Sequence, residues 1–410
     1  MRTTLTTVAA LSGVASAWMP GIHKDIVSIK GENLFNKTDP ITKRWLPASG
    51  KIRGVNLGSM FVFEPWIAEN IWSDMGCSNQ NSEFDCVSAV GQDTANSHFQ
   101  DHWDSWIVED DIATMASYGL NAIRIPVGYW IREDIVYSDS EHFPQGALPY
   151  LKKICGWASD YGFYIIIDLH GAPGAQVAQN SDTGQFAPSP GFYVDYQFER
   201  GLKFLEWITT QIHSSNSFRN VGMLQIVNEP VQDSNQVGNL LSSYYPNAFS
   251  RIRAAEKSLG IAANNELHIQ MMNAKWGSGD PTQYLTDNYF AAYDDHRYVK
   301  WDSSVAVSKD DYIRSSCNDD RGGNTPTVVT EWSLSVPDNV QYTPDWDPST
   351  NQDFYARWFA AQVIAYEKQG GWLFWSWKSE LGDYRWSYKD AVAAGVIPKN
   401  LDSVYDLGVC

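Results

Sequence analysis

Two carboxylates close apolar runs in this chain. Glu229 ends GMLQIVNEP (222–230), and Glu331 falls near the end of PTVVTEWS (326–333). Two carboxylates that flank a substrate can divide the labour of glycoside hydrolysis. One protonates the leaving oxygen, and the other attacks or activates water. The pair must differ in proton affinity, and environment sets that difference. An apolar neighbourhood would raise the pKa of Glu229 and keep it protonated as an acid. Arg124 and Tyr298 are candidates to hold Glu331 ionised. Asn228 is placed to hydrogen-bond a sugar hydroxyl, and Trp375 to offer a flat apolar face to a pyranose ring.

Residues so far apart meet only if a scaffold brings strand ends together. Short β-rich runs recur between longer amphipathic stretches: KIRGVNLGS (51–59), NAIRIPVG (121–128), FYIIIDLHG (163–171), GMLQIVNEP (222–230), ELHIQMMN (266–273), HRYVKWD (296–302), PTVVTEWS (326–333) and GWLFWSWK (371–378). Helical patterns lie between them, such as Trp103, Trp106, Ile107, Ile112 and Met115, or Phe204, Leu205, Ile208 and Ile212. Eight such strands predict an α/β chain folded as a closed (β/α)8 TIM barrel, a single catalytic domain over residues 18–410. An open doubly wound sheet would want a Gly-rich phosphate turn after its first strand, and GVNLGSMF is not one. In a barrel, function sits at the C-terminal strand ends. Those ends carry Arg124, Asp168, His170, Asn228, Glu229, His296, Tyr298, Glu331, Trp375 and Trp377.

Asn228-Glu229-Pro230 on a fourth strand resembles the acid/base motif of glycoside hydrolase family 5, and Thr330-Glu331-Trp332 resembles its nucleophile strand. His296-Arg297-Tyr298 resembles the family's His-x-Tyr. Arg124 in IRIPVGYW and His170 in DLHG match two further positions, and Trp375 matches the aromatic floor beneath the attacked sugar. The resemblance runs from about Ile52 to about Lys378. It implies a retaining double displacement without metal or organic cofactor, with Glu331 as nucleophile and Glu229 as acid and then base. GVNLGSMFVFEPWI and GWLFWSWKSE look like the fungal β-glucanase branch, which holds exo-β-1,3-glucanases and endo-β-1,6-glucanases. The exo enzymes have Gly-Gly-Trp after Asn-Leu, where this chain has Gly58-Ser59-Met60. Glu64 in FEPW still matches the branch and is a candidate to contact the sugar beyond the cleaved one. The reading is an endo-β-1,6-glucanase. The alternatives are an exo-β-1,3-glucanase, or a wall-remodelling transglycosylase built on the same residues.

The stretch GAPGAQVAQNSDTGQFAPSPG (171–191) follows the third strand, so it is expected to wall the cleft, with Asp182 and Gln185 as candidate sugar contacts. Trp66, Trp72, Trp276, Trp301 and Trp332 are candidates for further subsites, Trp276 and Trp301 above the others. A metal-dependent hydrolase using His170 and His296 lacks HExxH or paired-His spacing, so no metal is expected. A barrel that only binds glycan would be expected to have lost one of its two carboxylates.

The whole chain agrees with a neutral polysaccharide partner. Its 410 residues carry a formal net charge of -18, which excludes the basic footprint that nucleic acid requires. Met1–Ala17 reads as a secretory signal peptide ending in Ala-Ser-Ala. Elsewhere no apolar run is long enough to span a membrane, so a secreted monomer is expected. Five cysteines suit an oxidising compartment, pairing Cys77 with Cys86 and Cys317 with Cys410 and leaving Cys155 as a buried thiol. Asn36-Lys37-Thr38 is an N-glycosylation sequon.

Overall fold

Eight parallel strands close into a barrel in chain order. They are β1 (Ile52–Asn56), β2 (Ala122–Gly128), β3 (Tyr164–Gly171), β4 (Val221–Gln225), β5 (His268–Met272), β6 (Ala291–Arg297), β7 (Thr327–Trp332) and β8 (Gly371–Phe374). The computed structural model describes residues 50–232, 235–320 and 322–410. The signal peptide expected over residues 1–17 and the sequon at Asn36 lie outside the described residues. Every residue of β2 through β8 is buried, as parallel strands covered on both faces require. That double burial is why they read as apolar runs.

Side chains alternate across the strands, so alternate residues enter the barrel. Ile52, Ala122, Tyr164, Ile166, Met223, Ala292, Val328 and Leu373 form one apolar layer there. Burying an Ile or Leu in it contributes about 1.5–3 kcal/mol relative to exposure. Two residues further along their strands come Arg124, Asp168, Gln225, Asp294 and Thr330, all fully buried. This polar layer gains no such term and must satisfy itself through hydrogen bonds and ion pairs.

Three expectations shift. Strand β4 ends at Gln225, so Asn228 and Glu229 lie beyond it on a backbone that turns, with Glu229 at φ 37°. The sixth run was expected at 296–302, yet β6 is Ala291–Arg297 and Val299–Trp301 is a 3-10 turn. Its buried middle holds Asp294 and Asp295, which precede the expected run. Asp294 pairs with His296 at 3.1 Å, and Asp295 with Arg297 at 2.5 Å. Third, no α-helix returns the chain from β5 to β6; that described stretch contains only the 3-10 turn Ala274–Trp276. Elsewhere α-helices separate the strands, as Asp195–Ser214 does with Phe198, Leu202, Leu205, Ile208 and Ile212 buried along one side. The pattern around Trp103 to Met115 is two helices, Gln92–Ser105 and Glu109–Ser117. Disulfides join Cys77 to Cys86 and Cys317 to Cys410, and Cys155 is free and buried.

The loop after β1 is clamped by two buried titratable groups. Glu83 Oε1 accepts from the Phe63 amide at 2.8 Å, and His102 Nε2 bonds the Ser59 carbonyl at 2.7 Å. Burial pushes the Glu83 carboxyl up to about 8 and the His102 imidazole down to about 4. A raised carboxyl binds its proton more tightly in the folded chain, so its stabilisation is lost as pH climbs towards 8. A lowered histidine works in the opposite sense, and its contribution is lost as pH falls from 6.5 to 4. Of these two groups, only Glu83 acts above pH 6.5, in the same sense as the raised groups of the barrel mouth. We expect the melting temperature to fall between pH 6.5 and 8, and Glu83→Gln to flatten that fall; equal slopes in wild type and variant would refute it.

Candidate active site

Arg124 organises the site from the barrel interior. Its Nη1 donates to Glu331 Oε1 at 2.8 Å and to Asn56 Oδ1 at 3.0 Å. Its Nη2 meets Asn228 Oδ1 at 2.8 Å and Asp168 Oδ2 at 2.9 Å, and its Nε meets Gln225 Oε1 at 3.0 Å. One guanidinium, itself on β2, therefore ties together groups on or beside four other strands. The Tyr298 hydroxyl donates to the other oxygen of Glu331 at 2.9 Å. Arg124 and Tyr298 thus both reach Glu331. Burial pushes the Glu331 carboxyl above its ordinary value, against the pull of His296 and Arg124. Removing a hydrogen bond to a charged group costs about 1.5–3 kcal/mol, so Tyr298→Phe should lower kcat roughly 10- to 100-fold. The acid limb of the kcat/KM profile should move to higher pH, because the carboxylate loses a donor. A profile that stays in place would separate Tyr298 from Glu331.

Glu229 stands opposite. Its Oε1 lies 2.6 Å from His296 Nδ1, and His296 Nδ1 lies 3.5 Å from Glu331 Oε2. Oxygens of the two carboxyls and the imidazole nitrogen all fall within 4.8 Å of one another. Retaining glycosidases hold their pair about 5–5.5 Å apart, so that one can attack directly. The expected apolar surroundings of Glu229 are not there. Burial pushes its carboxyl up, but the hydrogen bond and charge of His296 outweigh it and hold the group below its ordinary value. His296 itself is driven well above the usual histidine range despite burial, by Glu331 and Asp294 in particular. Both shifts run in one direction, towards an ionised Glu229 carboxyl beside a charged His296 imidazole.

The remaining residues form a floor and walls. His170 lies flat on Trp375, the rings 5.6 Å apart at 11°, and its Nδ1 is fixed by Asp168 Oδ2 at 2.6 Å. Trp276 lines a recess with Glu229 and His296 and anchors its Nε1 on the Pro230 carbonyl at 2.9 Å. Trp301 stands 65% exposed at the rim. Glu64 is buried, and Trp66 Nε1 donates to its Oε2 at 3.0 Å. Ser59 occupies the left-handed region at φ 56°, and its hydroxyl bonds both the amide and the carbonyl of Glu64 at 2.9 and 3.0 Å. The Ser59-Met60 departure thus lies in the loop that holds Glu64. The 171–191 loop is a built wall: Gly184 lies against the Trp130 ring, where a Cβ would not fit, and Asp182 faces the cleft. Gln185 makes no described side-chain contact there. Trp72 and Trp332 are core, packed on Phe63 and on Phe359. Trp377 is core too, its Nε1 donating to Asp111 at 2.9 Å.

Asn56, Gln225 and Asp294 were missed in the sequence. Asp294 Oδ2 accepts from Gln225 Nε2 at 2.8 Å and from His296 Nε2 at 3.1 Å, so it fixes the imidazole that serves Glu229. Only their place two residues beyond the apolar layer would have marked Gln225 and Asp294. Among the described residues, Glu229, His296 and Glu331 are the one grouping of three that would reach a single metal ion. The 2.6 Å between His296 and Glu229 is a hydrogen-bond distance, and two ligands of one zinc stand farther apart.

The family model for cellulase (glycosyl hydrolase family 5) matches residues 87–381. The chain is 71% identical over 397 residues to glucan endo-1,6-beta-glucosidase B of Emericella nidulans, covering 97% of each chain. It is 66% identical over 406 residues to a probable glucan endo-1,6-beta-glucosidase B of Neosartorya fischeri, covering 99% of each. Glucan 1,3-beta-glucosidase 2 of Wickerhamomyces anomalus is 28% identical, over 89% of this chain and 92% of that one. A solved rutinosidase from Aspergillus niger shares the fold, with a TM-score of 0.65 at 20% identity over 85% of this chain and 98% of that one.

Proposed function

The chain belongs to glycosyl hydrolase family 5, and from that premise we propose that it is a secreted, retaining endo-β-1,6-glucanase. The observation that carries the linkage is the 71% identity, end to end, with glucan endo-1,6-beta-glucosidase B. The substrate is a neutral β-glucan, which suits a chain with a formal net charge of -18. Secretion is supported by the leader-like Met1–Ala17 and by two disulfides, which persist in oxidising compartments. No described helix is long and apolar enough to cross a membrane.

The reaction follows from the arrangement. A glucosyl unit lies on Trp375 with its anomeric carbon above Glu331, whose carboxylate is aimed by Arg124 and Tyr298. Glu331 attacks, the glycosidic C–O bond breaks, and the departing O6 takes a proton from Glu229. That proton is the one Glu229 shares with His296. A sugar in the cleft expels water, and there the neutral acid–imidazole form costs less than the ion pair. In the second half Glu229 takes a proton from water, the water oxygen attacks the anomeric carbon, and the Glu331 ester is released. Two inversions give retention. The left-handed backbone at Glu229, unusual for a residue with a side chain, turns its carboxyl back towards the cleft.

The test is a product profile on linear β-1,6-glucan and linear β-1,3-glucan at early times. Mixed short β-1,6 oligomers, with the β-1,3 polymer intact, are expected. Glucose alone released from the β-1,3 polymer would mean an exo-β-1,3-glucanase and would overturn the reading.

A further inference from the structure

Two recesses open beside the carboxylate pair and share Trp301. One, of about 480 Å³, is lined by Glu229, Trp276 and His296 among others. The other, of about 360 Å³, is lined by Trp66, Asp182, Lys300, Tyr342 and Trp386 among others, without Glu229. Double displacement gives these recesses a direction. The acid stands beside the leaving group, so the recess that holds Glu229 takes the half that departs. The second recess is lined by Trp66, which bonds Glu64 at 3.0 Å, and Glu64 lies close enough to Glu331 and Asp182 to feel both charges. It continues the side of the sugar that stays on the enzyme.

We propose that this second recess binds the glucosyl residues on the non-reducing side of the attacked sugar, and that its grip makes cleavage fall within chains. The inference rests on the endo-β-1,6-glucanase reading. A β-1,6 chain is joined through an exocyclic carbon, so each link has an extra rotatable bond and binding must offset more lost freedom. Broad ring faces that accept a sugar in several poses suit such a chain. Tyr342 is 75% exposed, Trp301 65% and Trp66 38%. Large rings left in water and rimmed by polar groups mark a binding surface. The rings are braced: Trp66 meets Trp386 edge-on at 5.0 Å, and Lys300 lies over both Trp301 and Trp386, at 5.1 and 5.5 Å. Asp338 pairs with Lys300 at 2.9 Å, which leaves no free cation there for an anionic ligand and suits a neutral polyol.

The test uses aryl β-glycosides with one, two or three β-1,6-linked glucosyl units. The aryl group departs, so only the staying side lengthens. In the wild type kcat/KM should rise with each unit. Tyr342→Ala should lose about tenfold on the three-unit substrate and less than about twofold on the one-unit substrate, and Trp66→Ala, which also releases Glu64, should lose at least as much on the three-unit substrate. Tyr342 touches no group of the carboxylate pair, so it keeps the test valid if Trp66→Ala misfolds. Equal losses of Tyr342→Ala on all three substrates, or none, would overturn the proposal while mixed β-1,6 oligomers from the wild type kept the functional reading. A wild type inert on β-1,6-glucan would overturn both.

Discussion

Glu331→Gln should abolish turnover on every substrate, by on the order of 10⁵-fold or more, as removing a covalent nucleophile does. The amide keeps the size, its oxygen can accept from Arg124 and its NH2 can donate to the Tyr298 hydroxyl, so both retain a partner and the barrel should stay folded. What disappears is the anionic oxygen that attacks. An activated aryl glycoside cannot help, because a better leaving group still needs a nucleophile. The measurement is kcat on aryl glycoside and polymer, with circular dichroism as the fold control. Residual rate above a trace on either substrate would move the nucleophile elsewhere.

Glu229→Ala should behave differently. Proton donation contributes about 10²–10⁴-fold. Loss of that size is expected on β-1,6-glucan, whose departing O6 is a poor leaving group. On an aryl glycoside with an acidic phenol, the first half-reaction needs little proton assistance and should survive. The glycosyl-enzyme then waits for water without a base, so a burst of phenol should precede slow turnover. Azide, small and already anionic, needs no base and fits the space the side chain leaves. Its addition should restore turnover and yield a β-glucosyl azide. Absence of rescue, or equal losses on both substrates, would show that Glu229 is not the acid and base. His296 should become easier to deprotonate in this variant, since it loses a carboxylate partner at 2.6 Å.

The barrel was legible because parallel strands buried on both faces begin as apolar runs, as residues 164–167 do before Asp168. The same rule hid β6. Its interior positions carry Asp294 and His296, which ion pairs make tolerable inside a barrel but which no local pattern distinguishes from loop. The meeting of the two carboxyls was legible from the apolar runs they follow and from the surrounding family motif. The direction of the Glu229 shift was not, because it depends on a histidine 67 residues away. The missing helix between β5 and β6 was invisible for a related reason. The expectation came from counting runs, while Trp276 and its neighbours form a wall held by contacts such as the Pro230 carbonyl.

Arg124 gathers partners 68, 101, 104 and 207 residues distant: Asn56, Gln225, Asn228 and Glu331. The bond to Glu331 cannot form in a partly wound sheet, since the seventh strand meets the guanidinium only when the cylinder is shut. Contacts of such long separation assemble late in folding. Hydrolytic activity is therefore a clock for ring closure. During refolding, helical signal should return first, and the power to cut glucan should return only with the last seam.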